Sequence, residues 1–223
     1  MSIRGIVPGA ALALAALTAG PWSPAEPGEW PLRVVTVAGR AEVSKGSTSG
    51  WSVAQLRAEL EPGAAARTLQ GRLTLRTASG QELRLAALSR IALPEAGATD
   101  QPTRVKMEAG SVWVAVVPGS SPREHLEVQT AVVTVTVWGS GVGITLGRDG
   151  SVRVRVYHGA AECAGPGAEW HRALGAGQEL LVPNAGRPGE TRKLIRDKLD
   201  TDWVKWNEEQ DLAGGYGGKP PER

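Results

Sequence analysis

Residues 126–144 read LEVQTAVVTVTVWGSGVGI, and this stretch decides the fold class. From residue 127 to residue 137 it is rich in Val and Thr, which are β-branched and favour strands. The same signal continues along the chain, since every second residue from 152 to 156 is Val, with Arg between. Many such segments, separated by Gly and Pro, predict an all-β fold. We expect a two-layer β-sandwich or an irregular β-solenoid of many short strands, followed by a C-terminal amphipathic helix.

Glycines mark the points where these strands are expected to turn or bend. They precede alternating apolar residues at irregular intervals, so the pattern predicts no fixed repeat. The Gly-Ser-Gly-Val-Gly run at 139–143 fits neither a nucleophile elbow nor a dinucleotide fingerprint, and a bend at a strand end explains it better. The glycines predicted to be structural are Gly63, Gly110, Gly139, Gly150 and Gly177.

The N-terminal part of the chain has the pattern of an export signal. Arg4 is followed by an uncharged run rich in Ala, Leu and Ile, and then by small residues. We interpret residues 1–25 as a signal peptide or an N-terminal anchor, and the Pro-rich residues 26–31 as a linker. The expected location is therefore outside the cytoplasm, in the periplasm or at the cell surface, either free or anchored by the apolar segment.

In the C-terminal part of the chain, the spacing of apolar residues changes from that of a strand to that of a helix. After a β domain at 32–183, the spacing of Ile195, Leu199, Trp203 and Trp206 predicts one apolar stripe on a helix at 191–212. A lone helix of this length is marginal in water, so the two tryptophans should dock on the β domain or on a partner. Residues 213–223 are predicted to be a flexible tail.

Composition excludes several classes of function. With 25 basic and 23 acidic residues, the chain has no dense basic face, so we expect no nucleic-acid partner. The three histidines and the single Cys163 show no metal-ligand spacing, so no metal site, no cofactor and no catalytic residues are predicted. Cys163 has small neighbours and, apart from His158, no basic residue nearby to activate it, which indicates an inert thiol.

The tryptophans are the remaining candidates for an interaction surface. The chain has eight Trp and no Phe, so some of them must fill the core, and Trp113, Trp203 and Trp206 are expected mainly to pack. Tryptophan also anchors interfaces and stacks on sugars, because it offers a large area at little entropic cost. The candidate interaction residues are Trp51, Trp138, Trp170, Trp203 and Trp206.

The order of these segments resembles the FecR-like domain, named for the envelope protein that relays iron-citrate signals to a sigma factor. In the central stretch, Thr130, Val135, Val137 and Gly139 fit the family pattern, whereas Trp138 stands in place of an arginine. The resemblance covers about residues 33–212, with similar flanking pieces at 73–93, 108–114, 153–159 and 176–181. It implies a non-catalytic, β-rich extracytoplasmic module. Regulators of this family carry a cytoplasmic segment ahead of their membrane span, whereas four residues precede the apolar run here, so direct contact with a sigma factor is not expected.

These observations lead to one hypothesis and two rivals. The leading hypothesis is a non-enzymatic exported cell-envelope protein that binds another envelope macromolecule, protein or glycan, with a role in signalling. The first rival is a β-sandwich enzyme or glycan-binding protein acting on cell-wall or surface polysaccharide. The second is a structural protein whose C-terminal helix joins copies into oligomers. Contact with the membrane is expected only through an uncleaved N-terminal segment.

Overall fold

The computed structural model describes residues 31–46, 50–95, 103–118, 125–196 and 201–217. The predicted signal segment 1–25 and all of the predicted linker except Pro31 lie outside the described residues, as does Leu199 of the predicted helical stripe. In the part that is described, no helix is long and apolar enough to cross a membrane.

The described part of the chain folds into strands followed by one helix, as the sequence pattern predicts. The longer strands carry β-branched or leucine residues at many alternate positions, and a short 3₁₀ turn lies at Pro166–Ala168. The strands are β1 (Leu32–Ser44), β2 (Ser52–Val53), β3 (Glu59–Leu60), β4 (Ala65–Arg76), β5 (Glu82–Leu85), β6 (Arg90–Ala92), β7 (Thr103–Ala115), β8 (Leu126–Gln129), β9 (Thr134–Leu146), β10 (Val152–Ala164), β11 (His171–Gly175), β12 (Gln178–Val182) and β13 (Arg192–Lys193), and the helix is α1 (Thr201–Gly214).

All the described strands belong to one continuous sheet. Its main order is β13-β12-β10-β9-β8-β7-β5-β4-β1-β2, with β3, β6 and β11 attached at the sides. The pairings are antiparallel except that of β7 with β8, which is parallel. The long strands have two halves with different neighbours: β9 pairs through 134–137 with β8 and through 141–146 with β7.

Glycines bend the long strands between these halves. Gly39 in β1 and Gly71 in β4 are direct partners in the ladder, and both have positive φ. A Cβ on Gly71 would lie 1.8 Å from the carbonyl oxygen of Ala38, so only glycine allows the two backbones to approach this closely. Comparable positive-φ glycines occur within β7, β9 and β10. The bends fold the sheet back on itself.

The folded sheet encloses one large apolar core. Among the described residues, thirty-four buried apolar side chains from the strands and loops between β1 and β12 form a single cluster. Because both halves of the long strands contribute to it, the core continues past the bends. The fold is therefore all-β with a C-terminal helix, as the sequence predicts.

The structure corrects the predicted boundaries at the C-terminal end. Residues 192–193 form β13, which pairs with β12, so strands extend beyond 183 and the helix begins at Thr201. Ile195 precedes the helix and is 69% exposed, so it is not part of a buried stripe. Gly215 ends the helix in a left-handed conformation, and the amides of the next two residues donate to the carbonyl of Asp211. Tyr216 is buried against the sheet, which places it outside a flexible tail.

Candidate functional site

The site lies on the outer face of the sheet, under α1. Strand alternation places Arg84 and Trp113 on this face while their neighbours in β5 and β7 point into the main core. Arg84 lies opposite Trp113 in the ladder, and Trp113 lies opposite Gly143 of β9. The register of three strands therefore brings a guanidinium group and an indole to one patch. Both side chains are 0% exposed because α1 covers them.

Asp211 of α1 is the centre of the hydrogen bonds in this patch. Its Oδ1 accepts from Arg84 Nη1 at 2.6 Å, and its Oδ2 accepts from Trp113 Nε1 at 3.0 Å. Oδ2 also lies 2.9 Å from His158 Nε2. Asp211 is only 1% exposed, so its charge depends on these partners for the stabilisation that water would otherwise supply. Residues from β5, β7 and β10 thus converge on one carboxylate.

The hydrogen bonds of His158 settle the positions of its protons. Its Nδ1 accepts from the backbone N–H of Gly141 at 3.0 Å, so that nitrogen carries no proton. Nε2 must then carry the proton and donate it to Asp211. Both ring nitrogens are occupied by protein groups. The pair resembles the His–Asp half of a hydrolase, but no lone pair is left to activate a nucleophile.

A chain of alternating charges continues from Asp211 across the sheet. Arg84 Nε donates to Glu82 Oε2 at 2.8 Å, and Arg76 Nε donates to Glu82 Oε1 at 2.9 Å. Arg84 Nη2 also lies 2.7 Å from Glu82 Oε2, as an ion pair without hydrogen-bond alignment. The hydrogen bond that Arg76 donates to Glu82 raises the pKa of Arg76. The negative charges of Asp211 and Glu82 balance the positive charges of Arg84 and Arg76. This compensation makes burial of the central pair, Arg84 and Glu82, tolerable.

The glycine run at 139–143 makes room for this network. A Cβ on Gly141 would lie 2.2 Å from His158 Nε2 and 2.7 Å from Asp211 Oδ2. A Cβ on Gly143 would lie 3.2 Å from the ring of Tyr157. Alternate glycines therefore leave a groove on the outer face of β9, into which the imidazole, the aromatic rings and the helix carboxylate fit. Glycine at every second position of a strand is the sequence signal that could have located this groove.

Apolar contacts around the network are few. Trp113, Ala115, Val204 and Tyr216 form a small cluster separate from the main core. Tyr157 stacks on Trp113 with the ring centroids 4.5 Å apart. The Tyr216 hydroxyl donates to the carbonyl of Gly80, and burial raises the pKa of this phenol, which keeps its proton available for that bond. The expectation that Trp113 packs is confirmed, since it is fully buried.

The structure brings together only two of the five tryptophans proposed as an interaction surface. Trp203 and Trp206 stack on α1 with centroids 5.5 Å apart, both half-buried, and the Arg72 guanidinium lies 4.5 Å from the centre of the Trp206 ring. The helix face against the sheet is centred on Val204, Asn207 and Asp211, and Trp203 packs beside them, an arrangement that an apolar stripe does not reveal.

The other three tryptophans lie on separate elements. Trp51 is half-buried, with the Arg67 guanidinium 4.2 Å from its ring centre. Trp138 of β9 is 37% exposed. Trp170 packs against the main core and donates to the carbonyl of Gly186 at 2.8 Å, so most of its surface is used in packing.

The glycines and the cysteine named in the sequence analysis lie at bends and in the core. A positive φ occurs at each of the glycines predicted to be structural, which are Gly63, Gly110, Gly139, Gly150 and Gly177. Cys163 is buried in the main core, and burial raises its pKa to about 12, so its thiol is protonated at neutral pH. Within the described ranges, no group of three or more His, Cys, Asp or Glu residues could hold a metal ion.

Comparison with known proteins connects this fold to a family. The FecR protein family matches residues 63–162. Among solved structures, one of a candidate anti-sigma factor from Parabacteroides distasonis shares 20% identity and a TM-score of 0.50, over 71% of this chain and 79% of that chain. Another structure of a candidate anti-sigma factor from the same organism shares 20% identity and a TM-score of 0.49, over 67% of this chain and 72% of that chain. No curated protein matches the chain.

The matched segment contains most of the site. Arg84, Trp113 and His158 lie inside residues 63–162, whereas Asp211 lies beyond them, on α1. At 20% identity, the likeness to the first of the two solved structures concerns the fold alone. The resemblance seen in the sequence is confirmed for residues 63–162, which match the FecR protein family.

Proposed function

We propose that this protein is a non-enzymatic, exported cell-envelope protein whose FecR domain binds another envelope protein as part of a signalling system. The observation that carries the proposal is the state of the polar network under α1. His158, Asp211 and Arg84 are the groups most suited to chemistry, and each is bonded to a protein partner and covered by the helix. A structure that uses its reactive groups for packing supports binding instead of catalysis.

The side of α1 that carries the two half-buried tryptophans is the surface best placed to meet a partner. Trp203 and Trp206 are stacked and half-buried, and Arg72 lies over the Trp206 ring. Tryptophan and arginine are the residues that most often dominate the binding energy of protein interfaces. Because the network positions α1 on the sheet, the aromatic pair is already oriented when a partner first makes contact, which lowers the entropic cost of association.

The test is crosslinking from chosen positions in intact cells. A photoreactive amino acid at exposed position 209 of α1 should capture an envelope protein, whereas the same group at exposed Val53 in the edge strand β2 should not. The double variant W203A/W206A should reduce capture from position 209. Equal capture from both positions, or none from either, contradicts the proposal. Retention on purified cell-wall polymers instead of protein capture would favour the glycan-binding alternative.

Export needs its own measurement. The N-terminal residue of the protein recovered from an envelope fraction should lie near 21 or 26 if the signal is cleaved. An intact N-terminus in the same fraction supports an anchor. Recovery from the cytosol alone contradicts the proposed location.

A further inference from the structure

We infer that the sheet face under α1 is a receptor for a helix that carries a carboxylate, and that α1 is its built-in, exchangeable ligand. The partner it fits is a helix of another protein that places an aspartate where Asp211 lies, with aromatic residues one to two turns earlier. The inference rests on the proposed function only for its biological setting. The binding face itself can be tested with purified protein.

The geometry of the donors supports a carboxylate receptor. Arg84 donates to one oxygen of Asp211 at 2.6 Å, and Trp113 and His158 donate to the other at 3.0 and 2.9 Å. The three donors belong to the sheet and the acceptor belongs to the helix. Both oxygens of one carboxylate are therefore recognised, and a carboxylate on another helix can make the same bonds.

Backbone and side-chain groups of the sheet orient these donors independently of α1. The amide of Gly141 holds the His158 ring through Nδ1, which directs the Nε2 proton toward the carboxylate position. Glu82 holds the Arg84 guanidinium through Nε at 2.8 Å. Tyr157 stacks on Trp113 at 4.5 Å between centroids. The receptor is thus largely formed before the helix arrives.

The contacts of α1 are consistent with exchange. In the small apolar cluster beneath it, Val204 is the buried residue from the helix, Trp203 packs against the cluster while half-buried, and Tyr216 follows just after the helix. Trp203 and Trp206 are only half-buried, and Leu212 is 55% exposed. The specific attachment of the helix therefore depends strongly on Asp211 and on Asn207. The backbone carbonyl of Asn207 accepts a hydrogen bond from Arg84 at 3.1 Å.

A tethered ligand competes with a free one through its effective concentration. A short connection gives an effective concentration in the millimolar range, so α1 should exclude a free helix of equal affinity from the wild-type chain. Weakening α1 by one substitution should open the receptor. We therefore expect a free helix to bind a variant with a weakened α1 more tightly than it binds the wild-type chain.

The experiment uses the full-length protein and a fluorescein-labelled peptide spanning residues 201–217. Fluorescence anisotropy should show that the Asp211→Ala chain binds the peptide at least tenfold more tightly than the wild-type chain does, because the tethered competitor is weakened. A peptide carrying D211N is the matched control and should bind the same variant about tenfold more weakly. Equal binding by variant and wild type, or by both peptides, overturns the inference. So does a folded variant that binds neither peptide.

Two further measurements keep the test decisive if Asp211→Ala fails to fold. The isosteric Asp211→Asn chain is examined in the same way, with its β-sheet content checked by circular dichroism. Hydrogen exchange of α1 in the wild-type chain is also followed with excess peptide. Acceleration by the wild-type peptide but not by the D211N peptide supports exchange, and no acceleration by either overturns it. Failure of the crosslinking in cells would leave these results unaffected.

Discussion

The two faces of the sheet use the same strands for opposite chemistry. On the inner face, apolar residues from almost every strand form one large core. On the outer face under α1, a small apolar cluster surrounds a network of charged and hydrogen-bonded groups. Apolar packing is tolerant of small shifts, whereas a buried carboxylate requires each donor in place. The comparison indicates that the inner face supplies general stability and the outer face specifies where the helix lies.

The largest effect is expected from removing the helix carboxylate. Asp211→Ala leaves Arg84 buried beside Glu82 without its second counter-charge, and breaking such a buried pair costs about 3–5 kcal/mol. We expect α1 to leave the sheet, because it carries the lost partner. Urea unfolding and tryptic cleavage of α1 would measure this. The exposed Glu209→Ala in the same helix is the control and should change stability by less than about 0.5 kcal/mol. Equal changes in the two variants would show that the network is unimportant.

A similar loss of stability on the inner face should have a different consequence. Leu75→Ala removes a fully buried side chain and should cost about 2–5 kcal/mol. Because this residue lies in the main core, we expect the midpoint of urea unfolding to fall while α1 stays protected from trypsin before the transition. Leu181→Ala, at a position 43% exposed, should cost much less. Early release of α1 in Leu75→Ala would contradict the separation of the two faces.

A smaller effect should follow from filling the groove of β9. Gly141→Ala places a Cβ 2.2 Å from His158 Nε2, so the imidazole must move, at a cost of about 1–3 kcal/mol. The control is Gly50→Ala, since no heavy atom lies within 4 Å of a Cβ built there. Thermal unfolding of both variants would make the comparison. If Gly141→Ala melts at the wild-type temperature, the close fit of helix and groove is wrong.

The mildest test uses the single thiol in the core. Burial raises the pKa of Cys163 from 9.0 to about 12, so the folded protein holds the thiol proton more tightly than the unfolded chain. The resulting stability is present below pH 9 and should be lost as the pH rises toward 12. At neutral pH, reaction with a disulfide reagent should be slow in native protein and fast in urea. Rapid labelling of the native protein would show that the inner face opens easily.

Much of the fold could be predicted because it depends on local patterns. Alternating Val and Leu predict strands, positive-φ glycines lie at predicted bends, and the C-terminal helix was expected, although its start at Thr201 was not. The start was missed because the pairing of β13 with β12 depends on residues far apart in sequence.

The site could be predicted only in fragments. Trp113 was expected to pack, and the 139–143 run was interpreted as a bend. Neither observation indicates that Gly141 lies beside an imidazole from β10 and a carboxylate from α1. Arg155 shows the same limit: alternation places it on the outer face, yet it is only 6% exposed in the folded protein.

The sequence by itself determined the all-β class and the two faces of each strand, because side-chain alternation has a period of two residues. It also determined the family resemblance and the absence of a recognisable catalytic motif. Only the tertiary structure decided that Arg84 meets Asp211, which lies 127 residues later. The contact between these two residues depends on strand register, on the bends that fold one sheet around its core, and on the position of α1, which is set by the charged groups beneath it. A local sequence pattern does not specify contacts between residues so far apart in the chain.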